Sequence, residues 1–206
     1  MTRIVADISV SLDGFVTGPD AGLDNGLGTG GEPLHAWAFS DDPDDARVLQ
    51  EATSRSGAVV LGRNLFDVVD GPGGWDEDVG YGAREATRPA FVVVTSTPPA
   101  SVRLRDHDWT FVTTGLADAV DAARRAAEEA SAAAGRPLDV VLMGGGALVG
   151  SALALGLVDS LSLHLSPVVL GGGTPLFVSG ARRELTQRRV VATTTAVHVT
   201  YDVVAG

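Results

Sequence analysis

Short apolar runs and amphipathic segments follow one another along most of the chain. Compact or alternating apolar residues are typical of strands, whose side chains point in turn to the two faces of a sheet. The predicted strands span residues 3–10, 58–61, 91–94, 109–113, 138–143, 158–169, 184–193 and 196–204. Apolar residues three and four apart are typical of helices that bury one face. The predicted helices span residues 42–54, 65–69, 116–134 and 147–155.

Residues at the ends of these segments support the helix boundaries. Asp41 or Asp42 is a suitable N-cap for the first helix, with Pro43 in its first position. Gly135 ends the long helix. The stretch at 18–33 is rich in Gly, Asp and Pro and predicts a long loop.

Strands that alternate with helices indicate an α/β fold with a largely parallel sheet. The last two strands follow one another directly, so we expect an antiparallel hairpin at the end of this sheet. Neither an internal repeat nor a low-complexity linker divides the chain, so residues 1–206 are expected to form a single domain.

Composition argues against several classes of function. The net charge of −11, without an arginine-rich stripe between aromatic residues, disfavours a nucleic-acid partner. The sequence has no apolar run that could span a bilayer and no signal-peptide pattern, so a membrane partner is not expected and the expected location is the cytoplasm. The absence of cysteine and lysine excludes thiol nucleophiles, Cys-based zinc sites, Schiff-base catalysis by the chain and a P-loop lysine.

Two turns have the composition of phosphate-binding sites. Three glycines at 144–146 lie between an apolar strand and an apolar helix, where backbone N–H groups can approach a phosphate closely. Gly62 and Arg63 stand in the same position after the strand at 58–61, and a guanidinium group matches a phosphate with two hydrogen bonds. Two such turns, one with an arginine, suggest a ligand that contains a diphosphate.

A Rossmann-type dehydrogenase would also bind a dinucleotide. Its G-x-G-x-x-G fingerprint needs a glycine where this chain has Val149, and Gly150 comes one residue late. No Asp or Glu ends a strand about 20 residues further on, where such enzymes contact the ribose. The match to this fingerprint is therefore poor.

Five short motifs follow one another along most of the chain. They are S-L-D-G-F-V at 11–16, V-L-G-R-N-L-F at 60–66, V-T-S at 94–96, M-G-G-G at 143–146 and S-P-V-V-L-G-G-G at 166–173. In order and spacing they resemble the dihydrofolate reductase-like superfamily, particularly its branch with the reductase domain of bacterial riboflavin biosynthesis. This resemblance implies a three-layer α/β fold with a mostly parallel central sheet, helices on both faces and antiparallel C-terminal strands.

The resemblance also implies an NADPH-dependent reductase and assigns its cofactor site. The pyrophosphate would lie on the glycine turn and the helix after it, at Gly144, Gly145, Gly146, Ala147 and Leu148. The adenosine phosphates would lie by the G-R turn and the strand-end hydroxyls, at Gly62, Arg63, Thr95 and Ser96. The backbone near the first strand would hold the carboxamide, which puts Ala6 and Val16 beside the nicotinamide.

Two carboxylates are candidates for proton transfer. Asp44 or Asp45 lies near the place where true dihydrofolate reductases have a carboxylate, at the start of the helix before the G-R turn, and Asp45 is the candidate chosen. It can also belong to a solvated acidic helix start with its neighbours, where carboxylates suit the helix dipole. Asp13 lies in the S-L-D-G turn, and a conformational role is open for it because Asp-Gly is a common turn sequence.

Aromatic residues and histidines add fewer candidates. Trp37 and Trp75 could stack on a substrate ring, and packing under a loop would explain them as well. The histidines lack metal-ligand spacing, and the loop at 20–31 lacks calcium ligands at its third and twelfth positions, so no metal is expected. His164, between two leucines on a predicted strand, is expected to be structural.

The sequence thus predicts a single-domain, NADPH-dependent reductase. It would transfer a hydride to a C=N or C=O carbon of a small heterocyclic substrate, like 5-amino-6-(5-phosphoribosylamino)uracil reductase or dihydrofolate reductase. By resemblance it would form a homodimer, with the closing strands at the interface. A nucleotide-binding module without turnover and a Rossmann-type NAD dehydrogenase are the alternatives.

Overall fold

The computed structural model describes residues 1–76, 79–81, 88–177 and 182–204. The strands are β1 (Ile4–Ser11), β2 (Phe15–Thr17), β3 (Ser56–Gly62), β4 (Ala90–Val94), β5 (Trp109–Val112), β6 (Asp139–Met143), β7 (Ser160–Ser166), β8 (Thr174–Pro175), β9 (Leu185–Ala192) and β10 (Val197–Val203). The helices are α1 (Pro43–Ser54), α2 (Arg63–Val69), α3 (Leu116–Ala134) and α4 (Gly146–Ala154), with a 3₁₀ helix at Glu32–Phe39.

Eight strands form one sheet in the order β5-β4-β3-β6-β1-β7-β10-β9. The strands from β5 to β7 pair in parallel, and the hairpin of β9 and β10 adds to β7 in antiparallel pairing. The α/β fold and the antiparallel closing hairpin are therefore confirmed. This order differs from the 3-2-1-4-5-6 order of the Rossmann fold, so the Rossmann alternative loses its support.

Apolar layers cover both faces of the sheet. On one face, α3 and α4 bury small and branched side chains such as Ala123 and Val149 against β1, β3 and β6. On the other face, Phe66 of α2 packs against Leu61 and Phe91. Helices on both faces make the three layers that the resemblance implies.

On the same face as α2, the 3₁₀ helix and α1 cover the part of the sheet around β1 and β7. Leu34 and Trp37 of the 3₁₀ helix are buried, and α1 lies beside it. The side chain of Asp42 accepts a hydrogen bond of 2.9 Å from the N–H of Asp44, which identifies Asp42 as the N-cap of α1. Of the two predicted N-cap residues, Asp41 and Asp42, the structure therefore has Asp42 as the cap.

Some elements differ from their predicted extent. None of the 3₁₀ helix, β2 and β8 was predicted. The 3₁₀ helix is largely apolar but shows little periodicity, and β2 and β8 are only three and two residues long. Strand β7 ends at Ser166, before the predicted end at residue 169, where Pro167 cannot donate a ladder hydrogen bond. Within the described ranges, no helix is long and apolar enough to cross a membrane.

Candidate functional site

The candidate phosphate-binding residues come together at one edge of the sheet. Strands β4, β3 and β6 are neighbours and parallel, so their carboxyl ends meet at the same edge. Nη1 of Arg63, after β3, lies 3.5 Å from Oγ1 of Thr95, after β4. A side chain on Gly144, after β6, would contact Leu65 of α2. Ligands of α/β sheets commonly bind at this edge.

The glycine turn needs glycine for reasons of backbone geometry. Gly144 and Gly145 have φ angles of 70° and 79°, a region that side chains other than glycine rarely adopt. A Cβ on Gly146 would lie 2.2 Å from the carbonyl oxygen of Pro175 in β8. The turn is therefore fixed by the fold itself, whatever it also binds.

The same turn leaves backbone donors at the start of α4. The first hydrogen bond of the helix runs from the N–H of Val149 to the carbonyl of Gly145, and Gly145 provides no side-chain cap. Helix geometry leaves the N–H groups before Val149 without partners inside the helix. Gly145 and Ala147 are exposed, whereas Leu148 is buried in the core. An anion at this end would meet backbone donors and the positive end of the helix dipole.

Arg63 is held in place by its own neighbours. Its Nε donates to both carboxylate oxygens of Asp67 at 2.7 and 2.9 Å, and Nη1 donates to the carbonyl oxygen of Thr97 at 2.6 Å. These contacts fix the guanidinium group across the ends of β3 and β4. Among the described residues Nη2 has no hydrogen-bond acceptor, so this nitrogen is the donor left for a ligand.

The two strand-end hydroxyls differ in their surroundings. Thr95 is buried, and its hydroxyl donates to the carbonyl of Thr97 at 2.7 Å and accepts from the N–H of Thr97. This hydroxyl therefore closes the turn after β4. Ser96 is exposed at the tip of the same turn, where a ligand could reach it.

Asp13 fastens the first turn to a distant loop. Its carboxylate accepts hydrogen bonds from the hydroxyl of Ser11 at 2.7 Å and from the N–H groups of Leu170 and Gly171 at 3.1 and 2.7 Å. The Ser11 hydrogen bond is the largest cause that lowers the pKa of Asp13, which keeps this exposed carboxyl group ionised. These contacts favour the conformational role that its turn sequence indicates.

The two residues expected beside the nicotinamide have buried side chains. Ala6 of β1 is fully buried between β6 and β7, and Val16 of β2 is buried in the same apolar layer. Only their backbone atoms could contact a ligand, as the resemblance implies.

A partly open strip divides the face that carries α2 and the 3₁₀ helix. Asp7 of β1 and Met143 of β6 are register partners, so their side chains point to the same face. Both stay partly exposed in the middle of the sheet, and the side chain of Asp7 is 23% exposed. We call this strip, which lies between α2 and the 3₁₀ helix and ends at the glycine turn, the cleft.

Four side chains form a continuous chain of contacts from α1 to the cleft. Oδ1 of Asp45 lies 2.8 Å from Nε2 of His198, and Nδ1 of His198 lies 2.7 Å from Nδ1 of His164. Nε2 of His164 lies 3.0 Å from Oδ1 of Asp7. We call these residues the Asp–His chain; all but Asp7 are buried.

Asp45 is therefore not part of a solvated helix start, and that expectation is wrong. Its side chain is 0% exposed, whereas Asp41 and Asp44 are exposed. Burial is the largest single influence on this group and raises the pKa of Asp45. The hydrogen-bond donors around the carboxylate outweigh burial and bring the pKa down to about 2; they are Ser40, Thr195, His198 and Thr193.

Both tryptophans pack against other rings; Trp37 is buried and Trp75 is partly buried. Trp37 is 6% exposed, its Nε1 donates to the hydroxyl of Ser9 at 2.9 Å, and its ring centroid lies 4.0 Å from that of His164. Trp75 packs with Phe91, Tyr81 and His107 on the β4 side of the sheet. Packing within the protein therefore accounts for both tryptophans, and Trp37 covers the Asp–His chain.

Sequence reasoning missed Asp7 and His198 as members of the site. Both stand on predicted strands between apolar residues, and the alternation of β1 and β10 turns them to one face of the sheet. That alternation was the available signal. Their meeting depends on the order of β1, β7 and β10, which the local pattern does not determine.

Strand order, layers and edge site define this chain as an α/β protein with the dihydrofolate reductase-like fold. Of the structures that share it, dihydrofolate reductase from Enterococcus faecalis, solved with NADP(H), is 15% identical, covers 98% of this chain and 96% of its own, and has a TM-score of 0.50. The chain belongs to the RibD C-terminal domain family, whose model matches residues 2–199.

Two further relatives extend over most of the chain. The uncharacterized protein YyaP of Bacillus subtilis (strain 168) is 25% identical over 186 residues, which cover 88% of this chain and 83% of that protein. A crystal structure assigned to riboflavin biosynthesis, from Shewanella sp. PV-4, is 19% identical, covers 99% of this chain and 100% of its own, and has a TM-score of 0.69.

Proposed function

We propose that this protein is an NADPH-dependent reductase that transfers a hydride to the carbon of a C=N or C=O bond in a small heterocyclic substrate. The observation that carries the proposal is the meeting of two phosphate-type turns on neighbouring strands of a reductase-type fold. Support comes from the family and from the NADP(H) in the related dihydrofolate reductase.

The residues at the sheet edge fit a dinucleotide. A Cβ built on Gly145 would have its nearest neighbour at 4.0 Å, and one on Gly62 would meet none of the described atoms within 4 Å. Backbone at both turns is therefore open to a close ligand. The pyrophosphate would lie on Gly144 to Leu148, and Nη2 of Arg63 with the hydroxyl of Ser96 would bind the adenosine phosphates.

The reaction would take place in the cleft. NADPH supplies the hydride when it is bound. The backbone of Ala6 would place the nicotinamide beside the partly exposed Asp7, and the substrate would enter between α2 and the 3₁₀ helix. The class of substrate follows from the resemblance to 5-amino-6-(5-phosphoribosylamino)uracil reductase and dihydrofolate reductase. A cytoplasmic homodimer is part of the same proposal.

Calorimetric titration with NADPH and NADH tests the proposal. We expect NADPH to bind much more tightly than NADH, because the 2′-phosphate meets Arg63 and Ser96. Arg63→Ala should weaken NADPH binding about 10- to 100-fold, the range for a lost charge-assisted hydrogen bond. Arg124→Ala, on the exposed surface of α3, removes the same charge and should leave binding unchanged.

The possible results separate the proposed function from its alternatives. Binding of neither nucleotide would contradict the proposal. Tight NADPH binding without turnover in a screen of pterin, pyrimidine and carbonyl substrates would favour a nucleotide-binding module. Equal effects of the two arginine variants would assign any binding to general charge rather than to the G-R turn.

A further inference from the structure

The Asp–His chain reaches from the protein interior to the cleft. At its inner end, Asp45 also accepts hydrogen bonds from Ser40, at 2.5 Å, and from Thr195. At its outer end, Asp7 is the partly exposed member. Water and ligands therefore meet the chain at Asp7.

The three contacts of the chain fix the number of protons it holds. Each short contact needs one proton between its two atoms, so three protons are required. Two neutral imidazoles carry only two ring protons. A third proton either makes one imidazole a cation or protonates Asp7 and leaves both rings neutral. If both rings were cations, two N–H groups would face each other across the 2.7 Å between the Nδ1 atoms. The geometry therefore requires one shared extra proton.

The neighbours of His164 favour this ring as the place for the extra proton. The Trp37 ring lies against His164, where it favours a cation, and Asp7 lies on the other nitrogen of His164. Burial is the largest cause that lowers the pKa of His198; the charge of His164 adds to it, and Asp45 opposes it. In this assignment His198 is neutral, donates from Nε2 to Asp45 and accepts at Nδ1 from His164.

Few other titratable groups among the described residues face His164 and His198. From the 3₁₀ helix the facing titratable group is His35, which lies near His164 and is exposed to solvent. From α1 the facing group is Asp45, and from β1 it is Asp7. The other side chains that contact the chain within the described ranges are the hydroxyls of Ser40, Thr193 and Thr195 and the Trp37 ring.

We infer that the Asp–His chain is a proton relay for the cleft: the proton shared by His164 and His198 passes through Asp7 to the heteroatom of the substrate during the reduction. This inference rests on the proposed function. Asp7 would be the catalytic residue, since it can touch the substrate. His164, His198 and Asp45 would be positioning residues that hold and supply the proton.

The step balances in atoms and charge. The hydride forms a C–H bond at the substrate carbon, and the π electrons of the C=N or C=O bond move to the heteroatom. That atom takes a proton from the carboxyl group of Asp7, and Asp7 takes its proton from Nε2 of His164. The histidine pair is left neutral, and one proton from water reloads it through Asp7.

Nitrogen NMR of the ring atoms tests the shared proton without any ligand. The chain has four histidines, and His35→Gln and His107→Gln assign the remaining two signals by elimination. We expect one of these two rings to be doubly protonated and the other to carry its only proton at Nε2. Two neutral rings would overturn the inference.

Proton release on nucleotide binding tests the connection to the cleft. NADP⁺ has a cationic nicotinamide ring, which would favour loss of the relay proton beside Asp7, whereas the ring of NADPH is neutral. Calorimetry in buffers of different ionisation enthalpy should show close to one more proton released with NADP⁺ than with NADPH. Asp7→Asn should abolish this difference.

Asp159→Asn is the matched control, because Asp159 accepts from the N–H of Ile4 at the N-terminal end of β1, away from the glycine turn. This variant should keep the difference in proton release. Equal proton release with both nucleotides would overturn the relay while NADPH binding still supported the reductase. If neither nucleotide bound, the proposed function would fail, and the relay with it.

Discussion

At Gly146 the fold requires a residue without a side chain. Its Cα faces the carbonyl oxygen of Pro175, and β8 leaves no space for a methyl group there. Gly150, one turn further along α4, has its nearest neighbour at the ordinary distance of 3.6 Å. A side chain is therefore excluded at Gly146 and tolerated at Gly150, although both glycines belong to the same helix.

Alanine at these two positions should act in opposite directions. Gly146→Ala should lower the free energy of unfolding by about 1–3 kcal/mol, because the backbone must shift to relieve the contact. Gly150→Ala should raise it by about 0.5–1 kcal/mol, since alanine favours a helix interior. Urea denaturation measures both, and similar losses in the two variants would contradict the contact at Pro175.

Single residues also show which parts of the site the sequence can predict. The glycine turn is visible because its apolar strand, its glycines and its helix are adjacent in the chain. The contact of Gly146 with Pro175 and the contact of His164 with Asp7 join residues far apart in sequence. Such contacts depend on strand order, and local periodicity does not contain that information.

Among the elements, α1 is held to the sheet by polar contacts. Its fully buried residue is Asp45, which contacts His198, and Glu51 forms an ion pair with Arg189 of β9. The sequence predicts this helix from its capping aspartate and the proline in its first position. It could not predict how α1 packs against the sheet. In the sequence a buried aspartate cannot be distinguished from a solvent-exposed one until its partner on β10 is known.

The cap of α1 can be tested against its exposed neighbour. Asp42→Ala should lower the free energy of unfolding by about 1 kcal/mol, because the N–H of Asp44 loses its acceptor. Asp41→Ala changes a residue outside the helix and should have little effect. Thermal unfolding of the two variants gives the comparison, and equal shifts would assign the effect to charge alone.

For the whole molecule, Asp45 joins the α1 layer to the sheet and makes stability depend on pH. Its pKa is about 2 in the folded protein, below the 3.8 that is usual for an aspartate side chain. A lowered pKa stabilises the fold above pH 4, by about 2 kcal/mol, and this stability is lost as pH falls from 4 to 2. The pKa of His198 is also lowered in the folded protein, so this group likewise makes the fold less stable as pH falls below 6.5, the usual pKa of histidine.

Acid unfolding should therefore distinguish Asp45→Asn from Asp41→Asn. Between pH 4 and 2 the free energy of unfolding should fall less steeply in Asp45→Asn than in the wild type, because the titrating group is gone. At neutral pH this variant should already be less stable, since His198 loses a buried charged partner. Asp41→Asn should follow the wild-type curve, and a wild-type slope in Asp45→Asn would contradict the assignment.

Because the Trp37 ring lies against His164, the fluorescence of Trp37 should report the charge of His164. A charged imidazole quenches the fluorescence of an indole that it touches, whereas a neutral imidazole quenches it far less. With Trp75 and Trp109 replaced by phenylalanine, the remaining emission would come from Trp37, next to the shared proton. Each loss and reloading of that proton would then appear as a brightening and a dimming of one fluorophore, in real time and without a label.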